Sequence, residues 1–465
     1  MADGFYPRTP APRDWTNVLF FAGIASWIVA MLITWPLSLS FGDEIGYVGQ
    51  AKLFLEGRLH VAANTPGVWV RTPNGLVAQY TLMVPLLITP LLALLPRAVF
   101  ISGAAAAVGL AWIGGRALRS WGRNPLWALI ILAHPTIVII SRTVMSDLLL
   151  AFFAVAAWWS LRNDRRIVTV LSFVALTATK PIGFLLGLAL VVGEGATMWR
   201  ALQIRQPAAL SRMRLGVVAF AAGLAATVAS NLVSTGKLWF GYNLAFLGTP
   251  PFWFRYLTVS GPVHLLSVLL NPPLLIAGVW TFWRQRDFGP LLVIFGMGTM
   301  MSFYYFVDFG TNWFESLVLS PRLILPVIAF LMIGYTNALA ALWERLGRRQ
   351  RSAVPVLLLL PALIALGIGT RHRKWQEPMA KALAAASVIA RRVGAPELWL
   401  TDNACKAGLL YDGPTRLLDA TSNPAVILCS TRPASYRQPM GTYTCDLPGY
   451  RSEAAADGFE VLVRK

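Results

Sequence analysis

Long apolar runs, separated by short segments that carry arginine, dominate this sequence. Of its 465 residues, 56% are hydrophobic and only 13% are charged, whereas a soluble domain carries about 25% charged residues. Because a bilayer-crossing helix needs about 20 apolar residues, the pattern predicts a polytopic α-helical membrane protein with about 11 transmembrane helices. The predicted spans are 17–40, 98–115, 125–141, 148–161, 167–179, 182–199, 215–233, 262–282, 289–307, 323–343 and 354–370.

One further apolar segment, 81–95 (TLMVPLLITPLLALL), is short and is interrupted by proline. We interpret it as a helix partly embedded in the membrane from the outer side, so that the first outer loop comprises residues 41–97. Basic residues support this topology, because cytoplasmic loops carry an excess of lysine and arginine. With the N-terminus inside, the cytoplasmic segments hold 18 Lys and Arg residues, and the outer loops before the tail hold nine.

The formal net charge of +19 raises the question of nucleic-acid binding. Most of the basic residues, however, lie in short clusters between apolar runs, where they set the membrane topology. The charge pattern therefore predicts that this chain contacts membrane lipid and does not bind nucleic acid.

The C-terminal tail, residues 371–465, is more polar than the rest and predicts a small extracytoplasmic α/β domain. It follows a transmembrane domain formed by residues 1–370. The expected helix spans 375–393, and the expected strands span 397–400, 425–429 and 459–463. Turns rich in Gly, Pro and Asp separate these segments.

All three cysteines lie in this tail. If the tail is outside the cytoplasm, Cys429 and Cys445 are candidates for a disulfide that leaves Cys405 free, because disulfides persist in oxidising compartments. Three unpaired thiols are the alternative. Neither the cysteines nor the histidines have the spacing of a zinc site.

Two adjacent carboxylates, Asp43 and Glu44, follow the first apolar run, where its helix would emerge into water. An amphipathic segment, 45–60, comes next and predicts a helix that lies along the membrane surface. An acidic pair held at that surface suits chemistry on a lipid-borne substrate, although an arbitrary acidic pair in a loop is usually only solvated.

Five short motifs follow one another on the predicted outer face. They are 41–47 (FGDEIGY), 79–86 (QYTLMVPL), 141–147 (SRTVMSD), 179–181 (TKP) and 321–327 (PRLILPV). In this order they resemble motifs of the GT-C superfamily of polyprenyl-phosphate-dependent glycosyltransferases, above all the branch that contains the protein O-mannosyltransferases and the lipid A aminoarabinose transferase. The sequence departs from the family pattern at Thr81 and Leu82, which replace paired prolines, and at Leu323, which replaces a tyrosine.

The resemblance implies a GT-C fold and a function for individual residues. It implies that Asp43 is the catalytic base, which accepts the proton of an acceptor hydroxyl as that hydroxyl attacks the sugar with inversion. The implied substrate-binding residues are Glu44, Tyr47, Tyr80, Arg142, Asp147, Lys180 and Arg322. Among them the cations would stabilise the leaving phosphate.

Other interpretations stay open for several of these residues. The cations are equally well explained as side chains that snorkel to the interface. Asp147 is either a second acid that orients the substrate or the N-cap of the following helix. Glu44 is a candidate ligand for the acceptor or for a divalent cation, and no cofactor is otherwise predicted.

The sequence thus predicts a glycosyltransferase of glycan biosynthesis in the bacterial inner membrane, with its active site and tail on the periplasmic or extracellular face. The donor would be a polyprenyl-phosphate-linked sugar, and the acceptor a glycan, a lipid or a protein. The alternatives are a secondary transporter or lipid flippase, and a scaffold without catalytic activity. Transporters place ionisable groups near the middle of the bilayer and often repeat their halves, and this sequence has neither feature.

Overall fold

A computed structural model describes residues 15–61, 69–73, 75–78, 81–238, 272–302, 320–346, 350–401, 404–418, 423–430, 445–456 and 458–465. Its helices are α1 (Trp15–Ile33), α2 (Gly42–Leu55), α3 (Met83–Leu94), α4 (Ile101–Ser120), α5 (Pro135–Ile140), α6 (Ser146–Arg162), α7 (Arg166–Thr179), α8 (Ile182–Thr197), α9 (Trp199–Gln203), α10 (Pro207–Thr235), α11 (Pro272–Arg284), α12 (Phe288–Ser302), α13 (Leu325–Arg345), α14 (Val354–Arg392) and α15 (Cys405–Gly408). Its strands are β1 (Trp69–Thr72), β2 (Gly75–Ala78), β3 (Leu398–Leu400), β4 (Thr415–Leu417), β5 (Val426–Ser430), β6 (Tyr450–Ala456) and β7 (Phe459–Arg464).

Several of these helices have the length and composition of membrane spans. Within the described residues, the five that are long and apolar enough are Trp15–Ile33, Pro96–Ser120, Pro207–Thr235, Pro321–Arg345 and Val354–Arg392. Large apolar side chains cover the outside of the bundle, as lipid contact requires, and Ile167 is 76% exposed. The predicted polytopic α-helical membrane protein is confirmed, whereas the count of 11 spans stays a prediction.

The core of the bundle is packed with aromatic rings from different helices. Trp158 of α6 makes edge contacts with Phe282 of α11 and Phe330 of α13, at centroid distances of 5.8 Å and 5.7 Å. All three side chains are buried. This cluster joins helices that are far apart in the sequence into one framework.

Helix α3 has the character expected of the embedded segment 81–95. Its 12 residues extend about 18 Å at the rise of an α-helix, short of the roughly 30 Å of a hydrocarbon core. Val84 and Ile88 are buried, while Leu86 and Leu94 are exposed. This helix is therefore too short to cross a bilayer by itself.

Two of the predicted spans are wrong in extent, because a proline ends or divides the helix. The span 17–40 ends as a helix at Ile33, because Pro36 disfavours the helical conformation for the residue before it. The span 125–141 is not one helix. His134 is extended before Pro135, so that a 3-10 helix, Pro125–Ala133, is followed by the separate helix α5.

The last span and the predicted tail helix form one helix, α14, which contains 39 residues. The prediction of two helices, 354–370 and 375–393, is therefore wrong. The four residues at 371–374 are Arg, His, Arg and Lys, none of which breaks a helix. Gly394, with a φ of +65°, follows its end, where a left-handed glycine is favoured. The predicted boundary at residue 370 lies inside this helix, and the division into two domains stays a prediction.

The tail contains a five-stranded mixed sheet with the strand order β4-β3-β5-β7-β6. Its pairs with β3 are parallel and the others are antiparallel. The end of α14 covers one face through Met379, Ala386 and Ile389. The predicted small α/β domain and its strands over 397–400, 425–429 and 459–463 are confirmed, whereas β4 and β6 were not predicted.

The disulfide considered from the sequence is present between Cys429 and Cys445. It lies with Ile427 and Leu462 on the face of the sheet opposite α14. Cys405 is free and buried.

Candidate active site

The side chain of Glu44 holds the first turn of α2. Its Oε2 accepts hydrogen bonds from the backbone N–H groups of Ser40, at 2.5 Å, and Phe41, at 2.7 Å. Its Oε1 accepts one from the N–H group of Val144, at 2.7 Å, in the loop before α6. Glu44 is fully buried, and this burial raises the pKa of its carboxyl group, although the backbone hydrogen bonds oppose the shift. Glu44 therefore joins two segments of the protein, and its carboxylate is enclosed.

The neighbouring carboxylate, Asp43, is accessible. Its side chain is 29% exposed, and its Oδ2 lies 3.5 Å from Nη1 of Arg322. Arg322 belongs to a 3-10 turn, Ser320–Ile324, directly before α13. The guanidinium of Arg322 lies 5.1 Å from the centre of the Phe41 ring, which fixes it over the start of α2.

Arg322 also reaches a second ion pair. Its Nη1 lies 3.7 Å from Oδ2 of Asp147, and Nζ of Lys180 lies 2.5 Å from Oδ1 of the same carboxylate. Asp147 is in the first turn of α6 and Lys180 directly follows α7, so that each charge complements the dipole of its helix. The N-cap of α6 is Met145; the alternative that Asp147 is this N-cap is therefore wrong.

We call Asp43, Asp147, Lys180 and Arg322 the ion cluster. Four of the predicted motif residues, separated by up to 279 positions, meet here. Asp147, Lys180 and Arg322 are only 2%, 13% and 6% exposed, so their charges interact in surroundings that screen them weakly. Two carboxylates balance two cations. A phosphate that entered would compete with the carboxylates for the cations.

Tyr47 lies one helical turn after Asp43 and is fully buried. Its hydroxyl group donates a hydrogen bond to Oγ of Ser146, at 2.8 Å. It thereby ties α2 to the start of α6, beside Asp147. Tyr80, the other tyrosine proposed to bind substrate, lies outside the described residues.

Arg142 lies in a different buried cluster, away from the contacts of the ion cluster. Its guanidinium donates to Oγ1 of Thr34, at 2.8 Å, and to the backbone carbonyl group of the same residue. Its Nε donates to Nδ1 of His372, at 3.2 Å, and its Nη2 to the carbonyl group of Gly369, at 3.4 Å. Arg142 thus joins the end of α1 to the middle of α14.

Helix α14 also holds the segment that leads into α2. Because Nδ1 of His372 accepts a hydrogen bond from Arg142, the proton of the neutral ring is on Nε2, which lies 2.7 Å from Oγ of Ser40. Gln376 donates to the carbonyl group of Ser38 and to Oγ of Ser40, and accepts from the N–H group of Leu37 at 2.9 Å. These bonds fix the chain directly before Asp43. No sequence motif pointed to them.

A lysine of the tail completes the surroundings of the acidic pair. Lys406 lies in the short helix α15, which packs against α2. Burial lowers the pKa of its ammonium group, and the negative charges of Glu44 and Asp43 raise it. Sequence reasoning missed this residue, since a lone lysine in a soluble tail carries no local signal.

Glu44 is also a candidate ligand for a divalent cation. Among the residues that the structure describes, no three His, Cys, Asp or Glu side chains group as metal ligands would. A cation bound at Glu44 stays a prediction.

Two crystal structures of one protein are similar to this fold. ArnT from Cupriavidus metallidurans in the apo state aligns with a TM-score of 0.61 at 16% sequence identity, over 97% of this chain and 98% of that chain. The chain has the ArnT fold. ArnT from the same organism bound to undecaprenyl phosphate gives a TM-score of 0.59 at the same identity and coverage.

The GT-C-like fold implied by the five motifs is thereby confirmed over nearly the whole chain, tail included. The sequence itself matches no protein-family model and no curated protein. At this level of identity the ArnT fold describes the architecture, and the chemistry has to be argued from the residues of this chain.

Proposed function

We propose that this protein is a membrane glycosyltransferase that moves a sugar from a polyprenyl-phosphate donor to an acceptor hydroxyl group. The observation that carries the proposal is the ion cluster. It sets an accessible carboxylate, Asp43, 3.5 Å from a buried guanidinium, Arg322. The ArnT fold adds support, because ArnT has been crystallised with undecaprenyl phosphate bound.

Asp43 would act as the general base. As the acceptor oxygen forms its bond to the anomeric carbon, its proton passes to the carboxylate of Asp43. The bond between the anomeric carbon and the phosphate oxygen breaks on the opposite face of the sugar, so that the configuration inverts.

Lys180 and Arg322 would stabilise the leaving group. The phosphate gains negative charge as it departs, and cations fixed in a poorly screened site lower the energy of that charge. The carboxylate of Asp147 pairs with both cations before the donor binds. It would thus keep them in position at the outer end of the bundle.

The site would lie on the periplasmic or extracellular face of a bacterial inner membrane. The excess of basic residues in the loops assigned to the cytoplasm supports this orientation. The short helix α15 of the tail packs against α2, and the charge of its Lys406 interacts with those of Glu44 and Asp43, which supports a tail on the same side. The acceptor, whether glycan, lipid or protein, would approach between this tail and α2. The described residues add no observation that favours a transporter or flippase.

The direct test is the substitution Asp43→Asn, measured as sugar transfer from a polyprenyl-phosphate donor in membranes. We expect a loss of about 100-fold or more in kcat, the scale of a general base. Asp164→Asn is the control, since Asp164 is exposed in the turn between α6 and α7. Its φ of 52° suits asparagine equally well. Full activity of Asp43→Asn in a normally inserted protein would remove Asp43 as the base.

A further inference from the structure

A cavity separate from the ion cluster lies where the tail meets α2. Its volume is about 320 Å³, within the range of roughly 300–1,000 Å³ that is typical of ligand sites. The second half of α2, the end of α3 and, from the tail, Glu397, Leu409 and residues 411–416 line it. We call it the junction pocket.

The charges that line the junction pocket balance. Nη1 of Arg58 lies 3.0 Å from Oε2 of Glu56, and both side chains are about half exposed. Nε of Arg416 lies 3.1 Å from Oε1 of Glu397. The third cation, Lys52, is attracted by the negative charges of Glu56 and of the third carboxylate, Asp412.

Lys52 also joins the two parts of the pocket wall. Its Nζ donates to the carbonyl group of Tyr411, at 3.1 Å, and lies 3.5 Å from that of Gly413. These bonds connect α2 to the loop of the tail that forms the opposite wall. The pocket is thus built jointly by both.

A pocket with these walls suits an uncharged ligand with many hydroxyl groups. Because cations and carboxylates occur in adjacent pairs, the pocket offers no net charge to an anion. Each sugar hydroxyl is both a donor and an acceptor, and it can bond to the guanidinium and the carboxylate of one pair together. Leu55, which is 47% exposed, and Tyr411 supply apolar surface for the C–H faces of a sugar.

We propose that the junction pocket binds neutral sugar rings, either of a free glycan or of a glycolipid headgroup. Its position supports this ligand. Gly49, at its edge, is six residues after Asp43, about 9 Å along the same helix. That the bound sugar belongs to the acceptor rests on the proposed glycosyltransferase function.

The test is sugar binding by the full-length protein in nanodiscs. The probes are glucose, galactose, mannose, arabinose and their neutral disaccharides, each free in water and linked to a diacylglycerol. We expect saturable binding of at least one probe, weakened about tenfold by Glu397→Gln and by Arg416→Gln, because each removes a charged hydrogen-bond partner.

Glu453→Gln is the matched control. Glu453 pairs with Arg392 at 2.7 Å elsewhere in the tail, so that it tests the loss of an ion pair outside the pocket. Binding of the free probes supports a glycan ligand, and binding of only the lipid-linked probes supports a headgroup. If no probe binds, or if the pocket variants bind as the control does, the inference is wrong.

The same assay separates this inference from the proposed function. Asp43 does not line the junction pocket, so Asp43→Asn should bind the sugar with unchanged affinity. Intact transfer without sugar binding would refute the pocket alone. Intact sugar binding with full transfer by Asp43→Asn would refute the catalytic assignment alone.

Discussion

Asp43 and Glu44 are neighbours in the chain, yet their carboxylates have opposite surroundings. Consecutive residues of an α-helix point about 100° apart. Glu44 therefore turns into the protein and meets three backbone N–H groups, while Asp43 stays accessible beside Arg322. The same acidic pair supplies a structural clamp and a candidate base.

Lys406→Met tests whether the tail contributes charge to the active site. The substitution keeps most of the length of the side chain and removes the positive charge that interacts with the negative charges of Glu44 and Asp43. We expect transfer to fall by about tenfold, the scale of a partly buried charge interaction. Steady-state kinetics with the polyprenyl-phosphate donor measure it. Lys381→Met, at an exposed position of α14, should leave the rate unchanged.

Lys52 makes stability depend on pH in a direction that can be worked out. Burial lowers the pKa of Lys52 to about 8. Between pH 8 and the usual value of 10.5, the unfolded chain therefore binds more protons than the folded one at this residue. This group adds stability as the pH rises through that window.

The measurement compares wild type with Lys52→Met. Because both proteins contain the same other titrating groups, the contributions of those groups cancel in the difference between the two Tm values. We expect the Tm of the wild type to rise relative to that of the variant between pH 8 and pH 10. A difference in Tm that stays constant over this range would contradict the buried, pKa-lowered state of Lys52.

At the scale of elements, α14 organises the site. It is one helix that packs against α1 within the bundle and against the sheet of the tail. Between these ends it binds Arg142 through His372, and the chain before α2 through Gln376. A displacement of this helix would therefore move Asp43.

Gly369→Ala tests this packing. A Cβ atom at Gly369 would collide with the side chain of Thr34 and lie 2.7 Å from Nη1 of Arg142. We expect a loss of about 1–3 kcal/mol in the free energy of unfolding, measured by denaturation in detergent. Gly367→Ala is matched to it, since no atom lies within 4 Å of its Cβ position. It should be neutral or stabilise the helix by up to about 1 kcal/mol.

At the scale of the whole molecule, the tail and the bundle meet at α2. The tail supplies Lys406 and one wall of the junction pocket, and α2 supplies Asp43 and the other wall. The active site would therefore be incomplete in the bundle alone.

The cysteines test on which side of the membrane this assembly lies. We expect peptide mapping of protein alkylated in intact cells to find Cys429 linked to Cys445, and Cys405 modified only after denaturation. Disulfides persist outside the cytoplasm. Reduced Cys429 and Cys445 would argue for a cytoplasmic tail.

The double substitution of Cys429→Ser with Cys445→Ser should lower the stability of the tail by about 3 kcal/mol, as expected for a loop of this length.

The sequence by itself determined the membrane class, the short apolar helix α3 and the α/β tail. Each follows from local composition, because hydrophobic length and strand pattern can be judged within a single segment. The motifs around Asp43, Asp147, Lys180 and Arg322 were also visible, because their resemblance to a family lies in short stretches of sequence.

Only the tertiary structure decided what these residues contact. The clamp formed by Glu44, the burial of Arg142 against His372 and the approach of Lys406 all join positions 100 or more residues apart. Such contacts depend on how the helices pack and on the continuity of α14. A local pattern of hydrophobicity or charge determines neither the packing of the helices nor the continuity of α14. Several packing arrangements satisfy the same pattern equally well.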